Sequence, residues 1–442
     1  MDLQGRFCMI DGICMSPERQ KPVRAHAKRK DVWPGAKLHH VRAVLCLAVL
    51  LCAFRGAALP DISRADETEG SQQIPGLVFD HTMDIDYATC FSIDCYKNGY
   101  RYISIKDDAD YLLVPEGKKA PDDLDKDIAV LQMPIDSIYL AATSAMDFFD
   151  TLDQVGRVTM SSVKEDSWYS ENAREAMESG QMTYAGKYSA PDYEMIVDKG
   201  CDLAIESTMI YHKPEAKEML EGFHIPVMVE HSSYEENPLG RSEWIKLYGA
   251  LCGREEEADR EFEQMKEKVE AILKQTQESG ESVQDAGSGE SKGGETEGTE
   301  DRPVTAFFSI NSNGSVTVYK SAGYVPKMIK MAGGSYAFQN LGDDNALSTV
   351  NMQMEEFYAQ AKDADYLIYN STIEGEIHTI RELLDKSSLL GDFKAVKEER
   401  VYCTSAYLFQ KPTGIADFIV DLSHMYQGDE DTDFTYLHRV ES

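Results

Sequence analysis

The sequence predicts an α/β protein of two Rossmann-like lobes joined by a long α-helix, with a ligand cleft between the lobes. Short apolar runs typical of buried strands alternate with segments of helical periodicity. One such unit occurs twice, as CDLAIESTMI in residues 201–210 and as ADYLIYNSTI in residues 364–373. Between the copies, residues 255–275 have helical periodicity and no predicted strand. The apolar positions of this helix are Phe262, Met265, Val269, Ile272 and Leu273.

The chain divides into six predicted segments. These are a presequence with a signal peptide (1–58), a linker (59–80), an N-terminal α/β lobe with a leading β-hairpin (81–240), linking helices (241–276), a disordered acidic insert rich in Gly and Ser (277–303) and a C-terminal α/β lobe (304–442). Alternating residues on both sides of Asn98-Gly99 predict the hairpin. The insert contains one branched apolar residue, Val283, and so cannot bury enough surface to fold.

In the first lobe, capping and breaking residues set the predicted helix ends. Thr143 and Ser144 follow a strand over 138–142 and are available to cap a helix over 145–152. Pro191 suits the first turn of a helix and Gly200 suits its end. The remaining predicted elements are a strand over 201–205, a helix over 214–220 and a strand over 225–229.

In the second lobe, strand and helix patterns also alternate. The predicted strands cover 304–310, 316–319, 366–369 and 401–404, and the predicted helices cover 325–331, 354–362, 376–386 and 415–426. The last residues of the chain are expected to pack loosely.

The net charge is −33, and residues 1–58 contain ten Lys and Arg against four Asp and Glu. The rest of the chain therefore carries about −39, which argues against a nucleic-acid partner. We expect a monomer.

Five cysteines follow the presequence without a CxxC pair, so neither a disulfide framework nor a cysteine metal site is predicted. Cys90 and Cys95 could pair across the hairpin or be ordinary strand residues.

Residues 43–54 form an apolar run too short to span a bilayer comfortably, with a basic stretch before it and small residues after it. This pattern predicts a secretory signal peptide cleaved after Ala58, and hence an extracytoplasmic protein. Two alternatives are a retained membrane anchor and a lipid on Cys52. Leu51 is larger than the small residue usually found before a lipid-modified cysteine.

The sequence contains no GxSxG, HExxH, P-loop or dinucleotide motif, so we expect a binding protein with no cofactor rather than an enzyme. Loops at the carboxyl ends of strands are where open α/β sheets bind ligands. The candidate ligand-binding residues in such loops are Thr143, Ser144, Trp168, Tyr188, Ser207, Thr208, Tyr211, His212, His231, Tyr234, Arg241, Tyr324, Ser371, Thr372, Tyr407 and Lys411.

Aromatic walls with a few polar groups suit a large, flat, partly apolar ligand. Arg241 and Lys411 could meet carboxylates or the negative charge of a ferric chelate. His212 and His231 could help to bind iron or a tetrapyrrole, or be loop histidines without a ligand. Many of the tyrosines are expected to pack against other side chains and not to contact the ligand.

Four blocks of sequence, taken in chain order, resemble the helix-linked family of ABC-transporter substrate-binding proteins, those for ferric siderophores, haem and cobalamin. The blocks are MPIDSIYLAATSAMDFFDTLDQVGRV, YSAPDYEMIVDKGCDLAI, HIPVMVE and MAGGSYAF. The resemblance covers about residues 134–422 without the acidic insert. It implies that the protein captures an iron chelate, or alternatively cobalamin or haem, for an ABC importer. A surface sensor and a metal-cluster enzyme of similar bilobal fold are other readings.

The resemblance also implies a contact with the membrane permease. In this family, one surface glutamate on each lobe engages an arginine pocket of the permease. Glu194 matches the position in the first lobe. Glu355 matches the position in the second lobe, where Glu356 is the alternative because the helix there is longer than in the family pattern.

Overall fold

The computed structural model describes residues 72–284, 302–341, 348–429 and 433–442. The predicted signal peptide, its cleavage site after Ala58, the possible lipid on Cys52 and most of the acidic insert lie outside the described residues. No helix within these described ranges is long and apolar enough to cross a membrane.

The described residues contain strands and helices in the alternation that the sequence predicts. The strands are β1 (Phe79–Thr82), β2 (Phe91–Tyr96), β3 (Arg101–Ile105), β4 (Asp110–Val114), β5 (Ile128–Gln132), β6 (Ile138–Leu140), β7 (Val158–Ser161), β8 (Thr183–Tyr184), β9 (Gly186–Lys187), β10 (Ala190–Pro191), β11 (Leu203–Ser207), β12 (Val227–Glu230), β13 (Val304–Ile310), β14 (Val316–Tyr319), β15 (Ser335–Tyr336), β16 (Thr349–Met352), β17 (Tyr366–Tyr369), β18 (Val401–Thr404) and β19 (Leu437–Arg439). The α-helices are α1 (Ala145–Thr151), α2 (Glu171–Glu178), α3 (Tyr193–Asp198), α4 (Pro214–Gly222), α5 (Pro238–Glu243), α6 (Ile245–Cys252), α7 (Glu255–Gln284), α8 (Tyr324–Met331), α9 (Met354–Ala361), α10 (Ile380–Lys386), α11 (Lys394–Lys397) and α12 (Ile415–Gln427).

A five-stranded sheet in the order β1-β2-β3-β4-β5 precedes the first lobe. Its strands β2 and β3 pair antiparallel as the predicted hairpin. The turn places Asn98 and Gly99 at φ of 67° and 87°, the left-handed region that Asn and Gly tolerate best. Cys90 and Cys95 are both free and buried, so they do not pair.

Two buried carboxylates attach the segment between β1 and β2 to the residues before and within the linking helices. Glu243 accepts hydrogen bonds from the backbone N–H groups of Asp86, Tyr87 and Ala88 at 2.7–2.8 Å. Glu235 accepts from the backbone N–H groups of Thr89 and Cys90 and from the indole N–H of Trp244.

The first lobe contains a parallel five-stranded sheet in the order β12-β11-β6-β7-β8. The carboxyl ends of β6, β11 and β12 therefore lie side by side. Two local predictions are wrong here. Pro191 pairs with Gly186 in the β9–β10 hairpin, and α3 begins after it with Asp192 capping the N–H of Met195. Ser144 precedes α1 in helical φ/ψ and makes no capping hydrogen bond with its side chain.

Helices α5, α6 and α7 link the two lobes, as predicted. The apolar stripe of α7 is buried at Phe262, Met265, Val269 and Ile272. The helix continues to Gln284, so residues 277–284 are helical and the prediction that they belong to a disordered insert is wrong. An established helix propagates at little cost, and Glu and Gln, which have good helix propensity, make up four of these eight residues.

The second lobe contains a mixed sheet in the order β16-β14-β13-β17-β18-β19, with β15 beside β13. Four predicted strands match β13, β14, β17 and β18 at both ends. The predicted helix over 376–386 begins only at Ile380, because Thr379 and Glu382 form a capping box there.

The prediction that the last residues pack loosely is wrong. Strand β19 pairs antiparallel with β18 at the edge of the second sheet. The buried carboxylate of Asp421 accepts hydrogen bonds from the backbone N–H groups of Thr435, Tyr436 and Leu437. The side chains of Tyr436 and Val440 are buried.

Candidate functional site

The two lobes contact each other through loops at the carboxyl ends of their strands. Asp147 of α1 accepts hydrogen bonds from the backbone N–H and the hydroxyl of Thr413, at 2.9 and 2.6 Å. Burial raises the pKa of Asp147 to about 6, against the lowering effect of the Thr413 hydrogen bonds. The rings of Tyr169 and Tyr407, one from each lobe, lie 5.5 Å apart. The lobes are therefore in contact across this face.

Four of the predicted ligand residues form two cation–π pairs near this contact. The guanidinium of Arg241 lies 4.4 Å from the ring centroid of Tyr324. The ammonium of Lys411 lies 5.8 Å from the ring centroid of Tyr407. The pocket lined by Arg241, Tyr324 and Lys411 has a volume of only about 10 Å³, so this part of the interface is filled by protein side chains.

Three further predicted residues form a cluster after β11 and β12, in which a buried histidine lies between two exposed tyrosines; we call it the aromatic–histidine cluster: Tyr211, His231 and Tyr234. The Tyr211 hydroxyl and His231 Nε2 are 2.9 Å apart. The His231 ring lies 5.5 Å from that of Tyr234. Tyr211 and Tyr234 are 45% and 55% exposed. Burial lowers the pKa of His231, which favours the neutral imidazole, and the unprotonated nitrogen of a neutral imidazole can accept a hydrogen bond.

Several other candidates have contacts within their own lobe. The hydroxyl of Ser371 donates to the Thr404 carbonyl at 2.6 Å, and that of Thr372 donates to Asn370. Tyr188 packs against the apolar core of the first lobe. Ser144, Trp168, Ser207 and Thr208 are buried, Thr143 is half-buried and His212 is exposed. Thr208 and His212 lie in the same 3₁₀ turn, Thr208–His212, as Tyr211 of the aromatic–histidine cluster.

A cavity of about 820 Å³, which we call the side cavity, opens between the two lobes beside α7. Arg302, Lys327 and Lys330 contribute three cationic side chains to its wall, and Asp86 and Glu236 contribute two acidic ones. Its other lining residues are Tyr87, Thr89, Asn237, Pro238, Leu273, Thr276, Gln277 and Met331. The Lys327 ammonium lies 3.5 Å from the Glu236 carboxylate, which joins the lobes at this point.

None of the sixteen predicted ligand residues lines the side cavity. Sequence reasoning missed it because its walls come from segments that are distant along the chain. One local sequence pattern could have indicated part of the cavity wall. Lys327 and Lys330 are three residues apart in a predicted helix, a spacing that places both ammonium groups on one face.

Sequence reasoning also missed Glu206, the residue before Ser207 in β11. This side chain is fully buried, and neither carboxylate oxygen has a hydrogen-bond partner. Burial raises the pKa of Glu206 well above the usual carboxyl range. The apolar surroundings therefore favour the protonated acid.

The glutamates expected to meet a permease are all exposed on the protein surface. Glu194 lies in the first turn of α3, and Glu355 and Glu356 lie in the first turn of α9. Glu356 accepts a hydrogen bond from Gln360 at 3.4 Å, whereas no such contact holds Glu355 among the described residues.

Comparison with known sequences gives a family match. The family model described as "Periplasmic binding protein" matches residues 141–408, more than half of the chain. An uncharacterized lipoprotein of Methanocaldococcus jannaschii is 23% identical over 296 residues, which are 65% of this chain and 63% of the relative. An uncharacterized protein of the same organism is 26% identical over 51% of this chain and 60% of the relative. The chain thus spans about three-fifths of the length of these relatives.

Solved structures share the fold. A periplasmic heme binding protein from Pseudomonas aeruginosa has a TM-score of 0.53 and 15% identity, over 70% of this chain and 98% of that one. A periplasmic binding protein from Veillonella parvula has a TM-score of 0.50 and 14% identity, over 77% and 98%. The two lobes and the linking helix α7 agree with these likenesses and confirm the predicted fold class. The chain belongs to the periplasmic binding protein family, in its helix-linked form.

Proposed function

We propose that this protein is the extracytoplasmic substrate-binding protein of an ABC importer, and that it captures an anionic ferric chelate of the siderophore type for the membrane permease. Membership of the family supports a substrate-binding role. A relative described as a lipoprotein supports a location outside the cytoplasm.

The ligand class is inferred from the size and charge of the side cavity. Its volume of about 820 Å³ falls within the range of about 300–1,000 Å³ usual for small-molecule sites. Three cationic side chains against two acidic ones give its wall a net positive charge in a chain whose net charge is −33. Apolar side chains such as Leu273 and Met331 complete the wall, so an anion with an apolar body suits it best.

The spectrum of the chelate-loaded protein tests this proposal. The purified protein is mixed with a ferric tris-catecholate complex, separated from free chelate by gel filtration and scanned in the visible range. We expect a broad charge-transfer band to elute with the protein, together with a rise in Tm, because a ligand that binds only the folded state stabilises it. A colourless protein with an unchanged Tm would refute the ferric-chelate assignment.

A second candidate ligand is a tetrapyrrole, either haem or cobalamin. The aromatic–histidine cluster favours it, since Tyr211 and His231 offer oxygen and nitrogen donors beside exposed aromatic faces. The Pseudomonas aeruginosa protein of similar fold is described as heme binding. A Soret band or a corrin spectrum after the corresponding loading experiment, lost in Tyr211→Phe or His231→Ala, would favour this ligand over a ferric chelate.

A further inference from the structure

The loop after β17 and the C-terminal strand β19 bring two histidines and a glutamate together, away from the side cavity. Glu376, His378 and His438 each offer one potential ligand atom, and these atoms lie within 4.8 Å of one another. The two imidazole rings are stacked, with centroids 4.8 Å apart and planes inclined by 24°. Glu376 Oε2 lies 3.9 Å from His378 Nε2.

The hydrogen bonds around these side chains resemble the second shell of a metal site. His438 Nε2 lies 2.9 Å from the carbonyl oxygen of Ile377. A carbonyl can only accept, so Nε2 carries the proton and Nδ1 keeps a free lone pair. Metal-ligating histidines usually donate their second ring nitrogen in this way, which fixes the tautomer and the ring orientation. Glu376 Oε1 accepts from the backbone N–H of Ala406 at 2.8 Å, which orients that carboxylate too.

The backbone around the three side chains is also held in place. The N–H of Glu441 donates to the His378 carbonyl at 2.8 Å, and the N–H of Ile380 donates to the Glu441 carbonyl at 2.7 Å. The Glu382 carboxylate accepts from the N–H of His378 at 2.7 Å. The two ligand-bearing segments are therefore fastened to each other independently of any ion.

We propose that Glu376, His378 and His438 form a zinc site with three protein ligands and one position open to solvent. Two imidazoles and one carboxylate are a ligand set that Zn²⁺ accepts, with bonds of about 2.0–2.2 Å. Ligand atoms around a tetrahedral zinc lie about 3.3 Å apart, so the side chains need to close by up to about 1.5 Å. The stacked rings also need to turn so that both point a nitrogen at one ion, and His378, whose side chain is 66% exposed, is free to turn. The strongly acidic chain favours a cation over an anion here.

Zinc at this site would join three segments of the second lobe: the loop after β17, strand β19 and, through Glu376 and Ala406, the loop that carries Tyr407. Tyr407 contacts Tyr169 of the first lobe. Zinc binding therefore stabilises the C-terminal strand and one side of the contact between the lobes. This inference does not depend on the proposed ferric-chelate function.

Calorimetric titration of the chelator-treated full-length protein with ZnCl₂ tests the site. We expect one saturable Zn²⁺ per chain, and affinity lower by at least about tenfold in His378→Ala and in Glu376→Gln, since each removes a ligand. Co²⁺ in place of Zn²⁺ should give visible d–d bands that the same variants lose. Hydrogen exchange of residues 437–441 should slow on adding Zn²⁺ to the wild type only.

The control variant is His81→Ala. His81 is also an exposed histidine beside a carboxylate, with Nδ1 3.1 Å from Asp80, but it lacks a second histidine. Because His378 is exposed, its replacement is expected to leave the Tm in EDTA unchanged. The proposal is overturned if the wild type shows no saturable Zn²⁺ binding, or if His378→Ala and Glu376→Gln bind Zn²⁺ as tightly as His81→Ala does.

Discussion

At the scale of single residues, Glu206 has the least usual environment. It stands in β11 among the apolar core of the first lobe, with no partner for either oxygen. The predicted strand ended at residue 205, so Glu206 was expected outside it, and the hydroxyl residues Ser207 and Thr208 were selected as candidates instead. The burial of Glu206 depends on how the helices cover β11, and this burial raises the pKa of its carboxyl group.

We predict that Glu206→Gln changes the pH dependence of stability. The pKa of Glu206 is raised in the folded protein, so as pH rises from about 4.5 the unfolded chain loses its proton first and the wild type loses stability. Gln cannot ionise, so the variant should be more stable than the wild type at pH 8 by about 1–3 kcal/mol and similar to it at pH 4. Urea unfolding at both pH values measures this, with the exposed Glu218→Gln as the control. Equal pH profiles for the Glu206→Gln and wild-type proteins would contradict the account.

At the scale of secondary structure, sequence patterns located elements well where the signal is local. The ends of β13, β14, β17 and β18 match because each is a continuous apolar run next to turn residues. Elements whose stability comes from distant partners were missed. Strand β19 depends on β18 and on Asp421, and the five-stranded leading sheet was predicted only as a leading hairpin.

The same limit applies to the candidate site. Arg241 and Tyr324 were both expected near the cleft and do meet, but only the three-dimensional structure shows that they pack on each other. The side cavity depends on the placement of residues as far apart as Asp86 and Lys330, which no local pattern reports.

We predict that Glu243→Ala loosens the leading sheet from the rest of the protein. The change removes the acceptor of three backbone N–H groups and leaves the nearby Lys246 ammonium, 3.1 Å away, without that partner. Loss of one member of a buried charged pair costs about 3–5 kcal/mol. Hydrogen exchange should accelerate at residues 86–88 and extend through residues 91–114.

The matched control for this prediction is Glu257→Ala. Glu257 lies on α7 and pairs with Arg254 at the surface, where such pairs contribute about 1 kcal/mol or less. If residues 86–88 exchange equally fast in both variants, Glu243 does not anchor the segment.

At the scale of the whole molecule, each of the two lobes linked by α7 exposes glutamate at a helix start, Glu194 on α3 in the first lobe and Glu355 with Glu356 on α9 in the second. We predict that the double variant Glu194→Lys, Glu355→Lys reduces uptake through the cognate importer while chelate affinity stays unchanged. A carboxylate at a helix start can pair with a permease arginine through a charge-assisted contact, and a lysine would repel it. Transport into vesicles that contain the permease measures this.

Two comparisons sharpen the transport experiment. Glu175→Lys in α2 changes an exposed glutamate of a helix to which no permease role is assigned, and should transport normally. Replacing Glu356 instead of Glu355 in the double variant tells which of the two meets the permease. Normal uptake by both double variants would remove the permease role from these residues.

The ligand site that we propose is the side cavity, with an anionic ferric chelate as its ligand. Fluorescence titration with ferric tris-catecholate tests this proposal by comparing the wild type with the Arg302→Gln, Lys327→Gln double variant. Lys213→Gln is an exposed control outside the cavity. We predict that the double variant binds at least about tenfold more weakly, because each lost charge-assisted contact costs on the order of 1 kcal/mol. Equal affinity in the double variant, or no binding by the wild type, would contradict the claim.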